Sequence, residues 1–118
     1  MRRDAIAQPQ QWEQRVEQAL RAYLECMASN PVLMRTLFIE ILGLGAEGLD
    51  ARRRMNQEIA DYMRAVVGAR KVTPGLAMAV VGGIHELVLQ AIEDGKVDEL
   101  PQLTAAASAL VKAVARRP

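Results

Sequence analysis

The sequence predicts an all-α domain of about five helices. Apolar residues recur at spacings of 3 and 4 through most of the 118-residue chain, the period of a helix with one face buried. No segment alternates apolar and polar residues for long enough to form a strand. Helix punctuation also falls at the right places: Asn30-Pro31 and Thr73-Pro74 begin apolar stripes, and Gly95 ends one.

Residues 1–8 read as a ragged end or the tail of a linker, and 9–118 as one domain. From Pro9 the pattern turns helical. Trp12, Val16, Ala19, Leu20, Tyr23, Leu24 and Met27 share a face, and Glu13, Glu17, Arg21 and Glu25 cover the opposite one. Ser29-Asn30-Pro31 ends this helix, with Asn30 as the cap of the next. That second helix is expected over 31–42, with Leu33, Leu37, Phe38, Ile41 and Leu42 inward, until Gly43-Leu44-Gly45 breaks the pattern. A third helix is expected over 46–67, with Leu49, Met55, Ile59, Met63 and Val66 inward and Tyr62 beside them.

The fourth helix, over 73–95, organises the rest. Thr73 suits the N-cap, Pro74 the first turn and Gly95 a left-handed C-cap. Leu76, Val80, Ile84, Leu87, Val88 and Ala91 form one stripe, yet Ala77, Met78, Val81, Leu89 and Ile92 off it are also apolar. One face meets its own domain and another is left for a partner. Gly82 and Gly83 each cost about 0.8–1 kcal/mol against alanine in a helix interior, which points to close approach of a second backbone or a ligand. His85, Glu86 and Gln90 interrupt the run, so a membrane span is not expected. The last helix is expected from an Asp98 cap to about Ala115, with Leu100, Leu103, Ala107, Leu110 and Val114 as a seam and alanines keeping it narrow.

Composition bounds function. With 51% hydrophobic and 25% charged residues the chain is globular, and a net charge of +1 argues against nucleic-acid binding by charge alone. The single cysteine, Cys26, excludes an intrachain disulfide and has no base nearby in sequence, so it reads as structural. Met1-Arg2-Arg3 is not followed by an apolar signal core, and a cytoplasmic location is expected.

No nucleophile–base pair, phosphate loop or metal spacing is present, so neither an enzyme nor a cofactor is expected. His85 and Glu86, as neighbours on a helix, point about 100° apart and do not share a metal. Glu86 is read as making a buried or interfacial hydrogen bond, and His85 as lining a pocket or a dimer surface. Glu40 is read either as a pocket carboxylate or, preferably, as an ion pair with one of Arg52, Arg53 and Arg54. The methionines of the first three helices adapt to irregular space, so they line either a cavity or a plain core.

Three pieces in this order resemble the C-terminal regulatory domain of TetR-family transcriptional repressors. They are Tyr23-Leu24-Glu25 with Asn30-Pro31 and Leu37-Phe38-Ile39-Glu40; Ala51-Arg52-Arg53-Arg54; and Val81-Gly82-Gly83-Ile84-His85-Glu86-Leu87-Val88 with Asp94-Gly95 and Leu100-Pro101-Gln102-Leu103. The resemblance spans roughly residues 10 to 115. It implies an all-helical domain whose last two helices form a four-helix bundle with a second subunit, giving a homodimer through Val81, Gly82, Leu89, Leu103, Ala106, Leu110 and Val114. It implies a small apolar effector in a cavity among the other helices, and the inward faces of helices one to four put Met27, Leu37, Phe38, Met55, Ile59, Tyr62, Met63 and His85 in its lining. It implies relay of that signal to a helix-turn-helix domain not found in these residues, so that this chain alone does not bind DNA. The alternative is a stand-alone helical dimeric interaction protein without a ligand.

Overall fold

The structure, a computed structural model, describes residues 11–115; the ragged end expected at 1–8 and a helix start at Pro9 lie outside them. Five α-helices follow in order: α1 (Gln11–Ala28), α2 (Pro31–Phe38), α3 (Ala46–Val67), α4 (Pro74–Glu93) and α5 (Thr104–Ala115). Two 3-10 segments, Glu40–Leu44 and Val97–Leu103, follow α2 and α4. No strand occurs among the described residues.

The helix ends show how closely local chemistry sets the boundaries. Thr73 Oγ1 accepts from the Leu76 N–H at 3.2 Å, and Pro74 takes the first turn of α4. At the other end Gly95, at φ 72°, allows the Lys96 N–H to reach the Ala91 carbonyl at 2.7 Å and its own N–H to reach Ile92 at 3.1 Å. This pair of bonds is a Schellman motif, which satisfies carbonyls the helix leaves open.

Three boundaries differ from the sequence reading. Asn30 makes no cap to α2; its Nδ2 donates backward to the Cys26 carbonyl at 2.7 Å and so closes α1. The second helix stops at Phe38 rather than continuing to Leu42, and the chain tightens into 3-10 geometry with the Leu42 N–H on the Ile39 carbonyl. Leu42 is exposed, and so is Leu33 within α2, where Met34 takes the inward place. The reason lies in α3: a Cβ on buried Gly48 would collide with the Ile41 carbonyl, so the 3-10 segment passes directly over that glycine. Leu49, expected inward, is exposed beside it. Finally, Asp98 caps no α-helix. Pro101 sits inside the 3-10 segment, which carries Leu100 into the core, and α5 begins only at Thr104.

The core divides into two clusters along α4. One gathers Val16, Ala60, Val67, Val80, Val81, Ile84 and Val111; the other gathers Leu24, Met27, Met34, Phe38, Val88, Ile92 and Leu100. By length and composition α4 is apolar enough to cross a membrane, a test that a core helix passes equally. Its inward residues serve both clusters. Its opposite side, with Ala79, Gly83, Glu86 and Gln90, is exposed, and so are Ala105, Ala106, Ala109 and Ala113 of α5.

Candidate functional site

Where the two clusters meet, His85 of α4 is 1% exposed and has both ring nitrogens occupied. Nδ1 lies 2.8 Å from Oδ1 of Asn56 on α3, and Nε2 lies 2.8 Å from the Tyr23 hydroxyl on α1. An amide oxygen only accepts, so in this arrangement Nδ1 carries the proton and donates to Asn56, while Nε2 accepts from Tyr23. The Phe38 ring meets the imidazole edge-on, with centroids 5.2 Å apart. Burial lowers the His85 pKa to about 4, with the positive charge of Arg52 adding to the effect, so the ring is neutral near pH 7. Burial, with Cys26 nearby, raises the Tyr23 hydroxyl above its ordinary value and keeps it protonated as a donor.

Beside this triad a cavity of about 310 Å³ opens between α1, α3 and α4. Val16, Ala19, Leu20 and Tyr23 line it from α1; Ile59, Met63 and Val66 from α3; Val81, Ile84 and His85 from α4; Val111 of α5 closes one side. Glu58 and Tyr62 stand at its rim, Tyr62 being 64% exposed. Apolar walls with few polar groups are the ordinary make-up of a ligand pocket, and the volume lies at the small end of the roughly 300–1,000 Å³ range. A second hollow is bordered by Pro31, Val32 and Arg35 of α2, Ile92 near the end of α4, and Val97.

Of the expected lining, Ile59, Tyr62, Met63 and His85 border the cavity. Met27, Leu37, Phe38 and Met55 do not; they belong to the cluster around Leu24, where Met27 is buried and Phe38 fully so. Methionine there fills space instead of leaving it, and only Met63 faces the cavity. Sequence reading expected α1 to form a wall through Met27 and missed Val16, Ala19, Leu20 and Tyr23, which form it, as well as Asn56 and Glu58. Ala19 was the available signal, since a small residue on an inward helix face leaves room opposite it.

The expected interface residues are split. Ala106 is exposed, Leu110 is 39% exposed and Gly82 is half-buried; Leu89, like Leu103 and Val114, is half-buried and packs in part on a core cluster. Val81 faces the cavity and is buried, Leu103 packs on the Leu24 cluster, and Val114 packs on the Val80 cluster. Among the described residues a Cβ on Gly82 would meet nothing within 4 Å, so no neighbour there accounts for that glycine. Glu86 is exposed rather than buried. Glu40 accepts from Thr36 Oγ1 at 3.3 Å instead of pairing with the arginines, of which Arg54 lies 3.8 Å from Asp50 on an exposed turn. Among the described residues no three His, Cys, Asp or Glu side chains come together as a metal site.

With this geometry in hand, comparison with protein-family models, curated proteins and solved structures finds no match to the chain.

Proposed function

We propose that the chain is the effector-binding and dimerisation domain of a TetR-like transcriptional regulator, sensing a small, largely apolar molecule and relaying it to a DNA-binding domain outside this chain. The cavity between α1, α3 and α4 carries this reading. Its walls come from three helices, so an occupant changes how all three pack. The neutral, doubly bonded His85 ties α1 to α3 through α4 at the cavity edge. Occupation is thereby coupled to helix position, which is what a sensor requires.

The outward sides of α4 and α5 support the dimer. Gly82, Gly83, Ala79, Ala106 and Ala109 leave these helices narrow, and Leu110 projects beside Gly83, 3.7 Å from where its Cβ would stand. Narrow faces let two helix pairs approach closely. With a net charge of +1 and no reading head among these residues, the chain by itself forms no specific duplex complex. A gel shift at physiological salt checks that expectation, a sequence-dependent band being the contrary result.

The test of the sensing role is a thermal-shift screen of compact apolar metabolites. A ligand at about 100 times its dissociation constant adds roughly 2.7 kcal/mol to stability. Met63→Trp fills the cavity and should abolish the shift of the best hit. A shift that survives it undiminished places binding elsewhere.

A second reading, a helical interaction protein without ligand, draws on another feature. Val32, Leu33, Leu44 and Leu49 are exposed on α2, the 3-10 segment and the start of α3, with Val32 at 81%. Large exposed apolar side chains grouped on neighbouring elements suit a protein partner.

A further inference from the structure

We propose that the cavity between α1, α3 and α4 takes a compact hydrophobic amine or quaternary ammonium, its apolar body among Val16, Leu20, Ile59 and Val81 and its positive charge at the mouth between the Glu58 carboxylate and the Tyr62 ring. This rests on reading the cavity as a ligand site and adds the ligand's charge.

The charges around the cavity carry the argument. Among the described residues Glu58 is the only Asp, Glu, Lys or Arg in the lining. The cations adjacent in sequence to lining residues are committed elsewhere. Arg15, next to Val16, donates to the Val66 carbonyl at 3.1 Å. Arg64, next to Met63, donates to the Val72 and Ala69 carbonyls at 2.8 and 3.1 Å. Arg21, next to Leu20, lies 3.6 Å from Glu17, and Lys112, next to Val111, lies 3.5 Å from the same carboxylate. Arg52 is close enough to act on His85 but does not line the cavity. His85 offers no free N–H either, because its one ring proton goes to Asn56 and its other nitrogen accepts from Tyr23. A carboxylate or phosphate ligand would thus find no donor cation in the lining and a like charge at the mouth.

The mouth is built the other way. Glu58 and Tyr62 are four residues apart on α3 and so project side by side. Neither makes a hydrogen bond or ion pair among the described residues. A carboxylate next to an open tyrosine face attracts a cation by charge and by the ring quadrupole together. Both remain solvated, so an ammonium lodged there keeps part of its hydration while the apolar body enters the cavity.

Isothermal titration with phenylpropylamine, phenylpropanol and phenylpropanoate at about pH 7 and low salt tests this, because the three share a body and differ in head-group charge. The amine should bind tighter than the alcohol by about tenfold, with the carboxylate weakest. Glu58→Gln and Tyr62→Leu should each bring the amine-to-alcohol ratio toward one, and added salt should shrink it. Met63→Trp, and Ala19→Leu as a second filling variant from the opposite wall, should weaken all binding, with helicity checked by circular dichroism. If the alcohol binds in a way both filling variants block, yet the amine gains nothing or the carboxylate binds best, the ligand site stands and its charge assignment is overturned. If none of the three binds, or neither filling variant matters, the ligand reading falls and the amine with it.

Discussion

The Tyr23 hydroxyl stands 2.8 Å from Nε2 of His85, joining α1 to α4 across 62 positions of sequence. The contact fixes more than a distance. Because Asn56 Oδ1 of α3 only accepts, the ring proton sits on Nδ1 and is donated there, which leaves Nε2 to accept from Tyr23. Three helices are therefore held by one neutral imidazole at the edge of the cavity. Replacing Asn56 by Leu removes the acceptor of a buried N–H and should cost about 1–3 kcal/mol. Tyr23→Phe should cost less, since it strands an acceptor beside a cavity that water can enter. Ring nitrogen shifts in long-range NMR spectra should report the Nδ1–H tautomer in the parent; finding Nε2–H would refute the assigned direction of the chain of bonds.

The same burial makes stability depend on pH. The folded His85 pKa is lowered to about 4, against an ordinary 6.5. Between these values the unfolded chain binds the proton and the folded one does not. The contribution is therefore fully present above pH 6.5 and is lost as pH falls toward 4. It amounts to about 2 kcal/mol, allowing for relaxation of the site. Urea melts of the parent and of His85→Gln should show a stability difference that narrows across this window. A difference constant in pH would mean the ring already carries its charge in the folded state.

Gly48 supplies a prediction that concerns packing alone. A Cβ there meets the backbone carbonyl of Ile41, which cannot rotate away as a side chain would. Gly48→Ala should thus destabilise the fold by about 1–3 kcal/mol despite the better helix propensity of alanine. Denaturant midpoints decide it; a gain in stability would show that the 3-10 segment Glu40–Leu44 can lift off α3.

These residues also show what sequence could and could not convey. The ends of α4 were legible because Thr73-Pro74 and Gly95 act within one turn, through bonds between near neighbours. The register of α1 was legible for the same reason, a local period, except at Glu13, which was placed on the polar face and is buried. The break after Phe38 was not, because it answers to Gly48, seven positions beyond Ile41 and on another helix. The cavity was half legible. Ile59, Tyr62, Met63 and His85 follow from facing inward on α3 and α4, but which inward residues leave a void depends on what lies opposite. Met27 and Phe38 have Leu24 and Leu100 against them and close the space, while Ala19 opposite α3 leaves it open. Asn56, one polar residue among several on α3, acquires meaning only when α4 brings His85 to it.

Gly82 and Leu110 together test the proposed dimer in a way that separates association from folding. Among the described residues nothing lies within 4 Å of a Cβ placed on Gly82, so within one chain Gly82→Ala should gain helix propensity at no steric cost, about 0.8–1 kcal/mol. If a second copy packs its helices against α4, that same methyl group stands in the contact and weakens association while the isolated chain grows more stable. Leu110, 39% exposed beside Gly83, should act differently. Leu110→Arg places a charge where the two copies would meet and should yield monomer in light scattering with little change in the urea midpoint of the dilute chain. Opposite movements of association and intrinsic stability for Gly82→Ala, with loss of association for Leu110→Arg, are the expected pattern. An unchanged dimer in both variants would put the contact on another face, with the exposed Val32, Leu33 and Leu44 surface next to be tested.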